Sequence, residues 1–450
     1  MEAALPERCD RPRILVLTQR VPAPPDRGDR IRTHHMLRVL RAHFDLDVAC
    51  TSAEPVDPAQ RRTVESLADR LAIEPLRPQW CALRAAGAVL SGQAITPAWH
   101  WTRPLARTIR RWHLEAPFDA VLTSCTGMVR YALDLMNANP TAEPSRTVGP
   151  GRPLRRPAHV LDLMDVDSLK WQHYGATSRA PRRWLYELEA RRIRRIERAT
   201  EPPADALVVI SDAEADAYRQ HVGNHPNLIV ASNGVGLDRF QPLADGGAPT
   251  LLFVGVLNYR PNVEGIGWFV RHVLPALRRP HGKVQRVRLI VVGRHPTAAV
   301  KALGKEPGVQ IVGSVPDVRP YLERSSVVIA PLRIAQGVQN KVLEAMASAR
   351  AVVASPQAAQ GISAESGQHL MIADEPSQWV QQIETLLCDA LHRRRIAAAA
   401  RQRVEQVYDW SVRLAPIVEQ LKQLTGSESA EHCCNDARPA GQVRSRRAAG

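Results

Sequence analysis

The sequence predicts an α/β protein built from two Rossmann-like, doubly wound domains that face a cleft. Three observations carry this expectation. Short apolar, β-branched runs alternate with stretches of helical period along most of the chain, the pattern of parallel strands covered by helices. The alternation breaks off and restarts around the polar run LADGGAP, Leu243–Pro249. A length of 450 residues also exceeds what one ordinary core accommodates.

In the first half, RILVLT (Arg13–Thr18) reads as a strand, followed by the loop QRVPAPPDRGD and a helix from about Arg30 to Ala42. LDVACT (Leu46–Thr51), FDAVLTS (Phe118–Ser124), HVLDLMDV (His159–Val166) and ALVVIS (Ala206–Ser211) read as further strands. The last of these leads into DAEADAYR, an acid-rich helix start. In the second half the runs TLLFVGVL (Thr250–Leu257), VRLIVVG (Val287–Gly293), VQIVGSV (Val309–Val315), SVVIAPL (Ser326–Leu332) and AVVAS (Ala351–Ser355) are almost continuously apolar. Such runs mark strands covered on both faces. Helices are expected over Val263–Val273, Thr297–Leu303, Val318–Arg324 and Asn340–Ala349, and mostly helix from Pro376 to about Leu424.

The domain plan that follows has an N-terminal tail at 1–12 and a first domain at 13–242. Within the latter, 137–157 is rich in Pro, Gly and Arg and is expected to be a mobile insertion. A linker at 243–249 leads to a second domain at 250–405. A C-terminal helix at 406–425 is expected to pack back toward the first domain, before a disordered tail at 426–450.

The balance of 60 Lys+Arg against 45 Asp+Glu, a net charge of +15, favours acidic partners such as nucleotide phosphates or anionic lipid. Nucleic acid is not the expected partner: aromatics are only 5% of the chain, and no helix–turn–helix, zinc finger or stacking module is visible. Seven scattered cysteines argue for a reducing compartment rather than a disulfide framework. The HCCN cluster near the C-terminus lies in a polar tail, and no metal site is expected there. The start MEAALPERCDRPR lacks the apolar core of a signal peptide, and no apolar run approaches the roughly 20 residues that span a bilayer. The expected location is cytoplasmic, with a peripheral position on the inner face of the membrane as an option.

In open α/β sheets ligands gather beyond the carboxyl ends of the strands. In the second half these positions hold Asn258, Tyr259 and Arg260, then Gly293 with Arg294, then Gly313, Ser314 and Val315, then the segment RIAQGVQNKVLE. The helix opening near Gln339 or Asn340 offers unpaired backbone N–H groups to an anion, and Lys341 adds a full charge there. Lys341 and Glu344 stand three residues apart and so share a helix face. One reading is a phosphate-binding lysine beside a carboxylate that accepts two sugar hydroxyls. The other is a solvated ion pair worth a few tenths of a kcal/mol.

The stretch GVQNKVLEAMASARAVVAS, Gly337–Ser355, resembles the donor-site signature of GT-B glycosyltransferases, in particular the retaining glycosyltransferase family four. ASNGVGLDRF is similar to that family's turn near the hinge, and VISDAEADAYR to the helix start before it. VPAPPDRGDRIRTHHML, DLMDVDSLKWQHY and YRPNVEGIGWF look like the sugar transferases of bacterial exopolysaccharide systems associated with exosortase and PEP-CTERM sorting. The resemblance implies that Glu344 binds ribose while Lys341 and Arg260 clamp the diphosphate, making these three the catalytic set. Asn258, Gly293, Gly313, Val315, Gln336, Gly337 and Asn340 would complete the donor site, with backbone near Val315 touching the base. From the first domain Gly28, Asp29 and Arg30 would face the cleft. The family's second glutamate, eight residues before the helix glutamate, is here Gln336, which keeps hydrogen bonding and loses the charge. Gly236 likewise stands where an acid is usual.

The activity so implied is metal-independent transfer of a hexose from a nucleotide diphosphate sugar to a glycan or lipid-linked acceptor, with no cofactor. Asp162, Asp165 and Asp167, at a strand end, are candidates to orient the acceptor hydroxyl, Asp167 foremost; acids there also cap turns. His34, His35 and His173 read as structural or exposed. RRWLYELEARRIRRIERA (Arg182–Ala199) is a basic helix with Trp184 and Leu185, suited either to anionic headgroups or to ordinary packing with pairs such as Glu187–Arg191. WHWTR (Trp99–Arg103) could touch a membrane, line the acceptor groove or simply pack. Two other classes stay open: a GT-B sugar-nucleotide epimerase, and a non-catalytic basic protein that binds polyanions.

Overall fold

Each apolar run expected in the first half becomes a strand of one parallel sheet in the computed structural model. The structure describes residues 11–137, 147–148, 152–153, 155–176, 178–244, 248–279, 284, 286–335 and 338–426. Its strands are β1 (Arg13–Thr18), β2 (Asp45–Ser52), β3 (Arg70–Pro75), β4 (Ala120–Ser124), β5 (Thr147–Val148), β6 (Arg152–Pro153), β7 (Ala158–Met164), β8 (Ala206–Val209), β9 (Leu228–Val230), β10 (Thr250–Val254), β11 (Arg288–Val292), β12 (Val309–Gly313), β13 (Val327–Ala330), β14 (Ala351–Ala354) and β15 (Met371–Ile372).

The first unit holds a seven-stranded sheet in the order β3-β2-β1-β4-β7-β8-β9, every neighbouring pair parallel. Ile14, Leu15, Val16 and Leu17 of β1 are fully buried, as a central strand with helices on both faces requires. The sheet is wider than the apolar runs alone predict. β3 and β9 are edge strands of half-buried residues, so neither carries a run long enough to announce it. A polar pin holds β3 instead: the fully buried Asp47 on β2 accepts from Arg70 at 2.5 Å and from Arg13 at 3.4 Å.

The second unit holds a six-stranded parallel sheet in the order β12-β11-β10-β13-β14-β15. Counted along each sheet's own strands, the orders read 3-2-1-4-5-6-7 and 3-2-1-4-5-6, the doubly wound order whose winding reverses between its first and fourth strands. The reversal falls at β1/β4 and at β10/β13.

One unit comprises the chain to Ser232 and from Leu414 onward; the other is Asn233–Arg413. The boundary therefore falls ten residues earlier than the expected linker at 243–249. The NGVG turn belongs to the second unit, where Val235 N–H donates to the Tyr408 carbonyl at 2.8 Å and Phe240 joins the core. Three linker positions, 245–247, lie outside the described residues, as do nearly all of the 1–12 tail and all of 427–450, including Cys433 and Cys434. In the expected insertion only the antiparallel pair β5–β6 and residues 155–157 are described beyond Asn137. The expected helix at 406–425 is interrupted: one helix ends at Tyr408, and Asp409 accepts from Ser411 N–H at 2.8 Å as the next, Trp410–Thr425, begins. From Leu414 that helix counts with the first unit, and its Leu414, Ile417, Val418 and Leu421 are buried. No helix among the described residues is long and apolar enough to cross a membrane.

Candidate functional site

At the winding reversal of the second sheet, β10 and β13 each lead through a loop into a helix. β10 feeds the helix Arg260–His272, and β13 feeds Asn340–Ala347. Neither helix has a side-chain cap at its start, so the positive end of each helix dipole is left without a capping side chain, although Pro261 has no N–H and the Asn262 and Val263 N–H groups donate to the Tyr259 carbonyl. Two glycines let the backbone close up here. A Cβ on Gly265 would stand 2.4 Å from the Pro331 carbonyl oxygen, so only glycine lets the first helix lie against the chain leaving β13. A Cβ on Gly293 would stand 1.6 Å from the Gly255 carbonyl oxygen, which ties the ends of β10 and β11 together.

The ammonium of Lys341 joins the two helix starts: it donates to Asn262 Oδ1 at 2.5 Å and lies 5.3 Å from the centre of the Phe253 ring. Asn262 is buried and itself fixed, donating through Nδ2 to the Val256 carbonyl at 2.9 Å. Burial lowers the Lys341 pKa to about 8, partly countered by Glu344. Glu344, one turn along the same helix, is pushed up to about 7 by burial, against the opposing pull of Arg239 and Lys341. No hydrogen bond to the Glu344 carboxylate comes from a described residue. A half-buried acid with no donor among the described residues and a desolvated lysine on one helix face are costly for folding, and such pairs concentrate where a ligand supplies the missing partners.

Other expected donor residues divide. Asn258 and Asn340 are exposed in the loop after β10 and at the helix start. Gly313, at the end of β12, has φ +85° and open space where a Cβ would stand, and its carbonyl accepts from Gly293 N–H at 2.8 Å. Val315 is half-buried and packs on the core. Gln336 and Gly337 lie outside the described residues. Arg260 begins the helix that carries Asn262, but its side chain is exposed and pairs with Glu264 at 2.7 Å rather than with any group around Lys341. Sequence reasoning missed Asn262 and Arg239. The first sits in the opening turn of a helix that follows a strand at the winding reversal, which is a readable signal. The second lies about a hundred residues from Glu344 and gives none.

The expected residues of the first unit are largely satisfied internally. Gly28 opens the helix Gly28–Arg41 with nothing near it; Asp29 pairs with Arg20, and Arg30 with Asp26 at 3.3 Å and Glu54 at 3.5 Å. Asp162 is fully buried in a two-pronged pair with Arg32, at 2.8 and 3.1 Å, which makes it structural. Asp167 accepts from Thr126 Oγ1 at 2.5 Å and from Lys170 at 3.3 Å. Asp165 differs: no described residue donates to its carboxylate, and burial raises its pKa. The basic helix, observed as Arg182–Thr200, exposes Trp184 and Leu185 and turns Glu189 and Glu197 inward. Glu189 caps the helix Ile95–His100 by accepting from Ile95 and Thr96 N–H, both at 2.8 Å. The expected Glu187–Arg191 ion pair is replaced by Arg183–Glu187 at 2.7 Å; Arg191 donates to the Glu187 backbone carbonyl instead. Among the described residues no group of three or more His, Cys, Asp or Glu side chains is placed to hold a metal ion.

The family model described as Glycosyl transferases group 1 matches residues 248–389, the greater part of the second unit. Solved structures share the fold over almost the whole chain. Sucrose-phosphate synthase from Thermosynechococcus elongatus is 16% identical with a TM-score of 0.58, over 93% of this chain and 100% of that one. Anabaena HepE in complex with UDP is 15% identical with a TM-score of 0.56, again over 93% and 100%. A glycosyltransferase from Rickettsia africae is 12% identical with a TM-score of 0.57, over 92% and 99%. No curated protein matches. The architecture is that of GT-B glycosyltransferase structures, two parallel-sheet Rossmann-like domains, and the domain match at 248–389 supports a glycosyltransferase.

Proposed function

We propose that the chain is a retaining, metal-independent hexosyltransferase that moves a sugar from a nucleotide diphosphate sugar to a glycan or lipid-linked acceptor in exopolysaccharide synthesis. The observation that carries the proposal is the pairing of a desolvated Lys341, at the meeting point of two helix starts without side-chain caps, with the carboxylate of Glu344, to which no described residue donates. A diphosphate answers the first and a ribose diol the second. The HepE structure, with UDP bound, supports this choice of donor by likeness of fold.

In the proposed reaction the bond from the anomeric carbon to the diphosphate oxygen breaks as the acceptor oxygen bonds to that carbon from the same face. The acceptor proton passes to the departing diphosphate. Lys341 and the two helix starts stabilise the charge that builds on the leaving group, and Arg260 reaches it by leaving Glu264. Asp165, to which no described residue donates, is a better candidate than Asp167 to orient the acceptor. Exposed Trp184 and Leu185 among the arginines of their helix support a peripheral position on an anionic membrane face.

A thermal-shift screen of UDP-, GDP- and ADP-sugars on the parent and on Glu344→Ala tests the donor assignment. One sugar nucleotide should stabilise the parent strongly and the variant weakly. Equal stabilisation of both proteins would remove Glu344 from the site.

A further inference from the structure

A groove in the first unit, between the helices Arg103–Glu115 and Val129–Asn137, is left unused by the reaction above. Its volume is about 370 Å³, and Trp101, Arg103, Arg107, Arg110, Asp134 and Tyr131 are among its lining residues. That size falls in the range of pockets that take small molecules. Ala106, Ile109 and Leu135 supply an apolar floor.

We infer that this groove binds an acidic oligosaccharide, a glycan segment carrying more than one carboxylate or phosphate group. Arg103, Arg107 and Arg110 lie at helical spacing on one face, and their guanidinium groups have no partner among the described residues. Like charges three and four apart repel on a helix, so this row is unfavourable unless an anion offsets it. The same helix pairs Arg111 with Glu115 at 3.6 Å, which shows that a local acid is used where one is wanted. From Arg103 to Arg110 the helix rises about 10 Å, too long for a single phosphate and suited to charges repeated along an extended chain.

One end of the groove carries an aromatic ring beside a carboxylate, the pairing of apolar face and acceptor that a sugar ring can use. Trp101 is held in place, its Nε1–H donating to Asp134 at 3.0 Å and the Arg130 guanidinium 4.1 Å from its ring centre. Asp134 thereby sets an acceptor among the arginines, where hydroxyl groups can donate. A DNA backbone has no hydroxyl to donate to that carboxylate, whereas a glycan carries several on each ring, which favours a saccharide over DNA. The inference stands apart from the transfer reaction, since binding here requires no nucleotide sugar.

The test is calorimetric titration of the full chain, without nucleotide sugar and at fixed ionic strength, with tetragalacturonate, maltotetraose, inorganic phosphate and an eight-residue oligothymidylate. Tetragalacturonate should bind, and Arg103→Gln/Arg107→Gln/Arg110→Gln should weaken it at least tenfold. A control of equal charge on other elements, Arg61→Gln/Arg62→Gln/Arg195→Gln, should change it less than twofold. The single variant Arg107→Gln, expected to weaken binding about threefold, serves should the triple fail to fold. Equal losses in the two triples, equal binding of maltotetraose or phosphate, tighter binding of the oligothymidylate, or no binding of tetragalacturonate would each overturn the assignment.

Discussion

The winding reversals of the two sheets are equivalent in topology and opposite in chemistry. At β1/β4 nearly every polar group is answered from within. Asp162 is locked by Arg32, and Thr51 donates to the Gln19 carbonyl and lies 3.0 Å from His100 Nδ1. Gly127 has His100, Gln19 and Cys125 within 3.6 Å of where its Cβ would stand. Burial drops the His100 pKa to about 4, so it stays neutral at physiological pH. At β10/β13 the backbone is drawn tight by glycines, while Lys341 and Glu344 are left desolvated and under-partnered. One doubly wound sheet spends its strand ends on holding itself together; the other leaves them open for a ligand.

The largest effect that sharpens this contrast is expected from Arg32→Met. It strands the Asp162 carboxylate in the core and should cost about 3–5 kcal/mol in urea denaturation. A loss below about 1 kcal/mol would mean that the first strand end is less structural than its geometry indicates.

Next comes Gly293→Ala, which drives a methyl group into the Gly255 carbonyl and should cost about 1–3 kcal/mol or more. Its signature is destabilisation together with loss of nucleotide-sugar binding, because the loop that leads to Asn262 must shift.

Donor affinity should be bell-shaped in pH. Below about 7 Glu344 is protonated and no longer accepts both hydroxyls; above about 8 Lys341 loses its charge. Affinity measured by calorimetry should fall by about tenfold per pH unit on each side. A flat profile from pH 6 to 9 would detach both groups from the donor.

Glu344→Gln should stabilise the unliganded protein while weakening donor binding. The native carboxyl titrates near 7, against 4.5 for its ordinary value, so between these values the folded state holds a proton that the unfolded state lacks. Stability of the parent therefore erodes as pH rises through that window. The melting point of the glutamine variant should pull ahead between pH 4.5 and 7 and keep a constant lead above it. A variant that melts lower at pH 8 would contradict this.

The smallest effect is expected at Gly28→Ala. Nothing lies within 4 Å of the added methyl group, so stability should change by no more than about 0.5 kcal/mol.

The sequence by itself determined the two doubly wound sheets, because a strand buried on both faces must be written as an apolar run, and ten such runs appear where ten strands form. It also determined that Lys341 and Glu344 share a face, since helical spacing alone decides that. Tertiary structure decided the rest. β3 and β9 escaped notice because these two edge strands are half-buried and carry no long apolar run, unlike the edge strand β12, and β3 is held by a buried ion-pair network instead. Whether an acid is structural or available depends on its partner: Arg32, 130 residues from Asp162, removes one aspartate from the candidates, while nothing described removes Asp165. Asn262 reaches Lys341 only because Gly265 lets two chain segments touch. Burial and pairing across distant segments set protonation and availability, and no spacing along the chain encodes them.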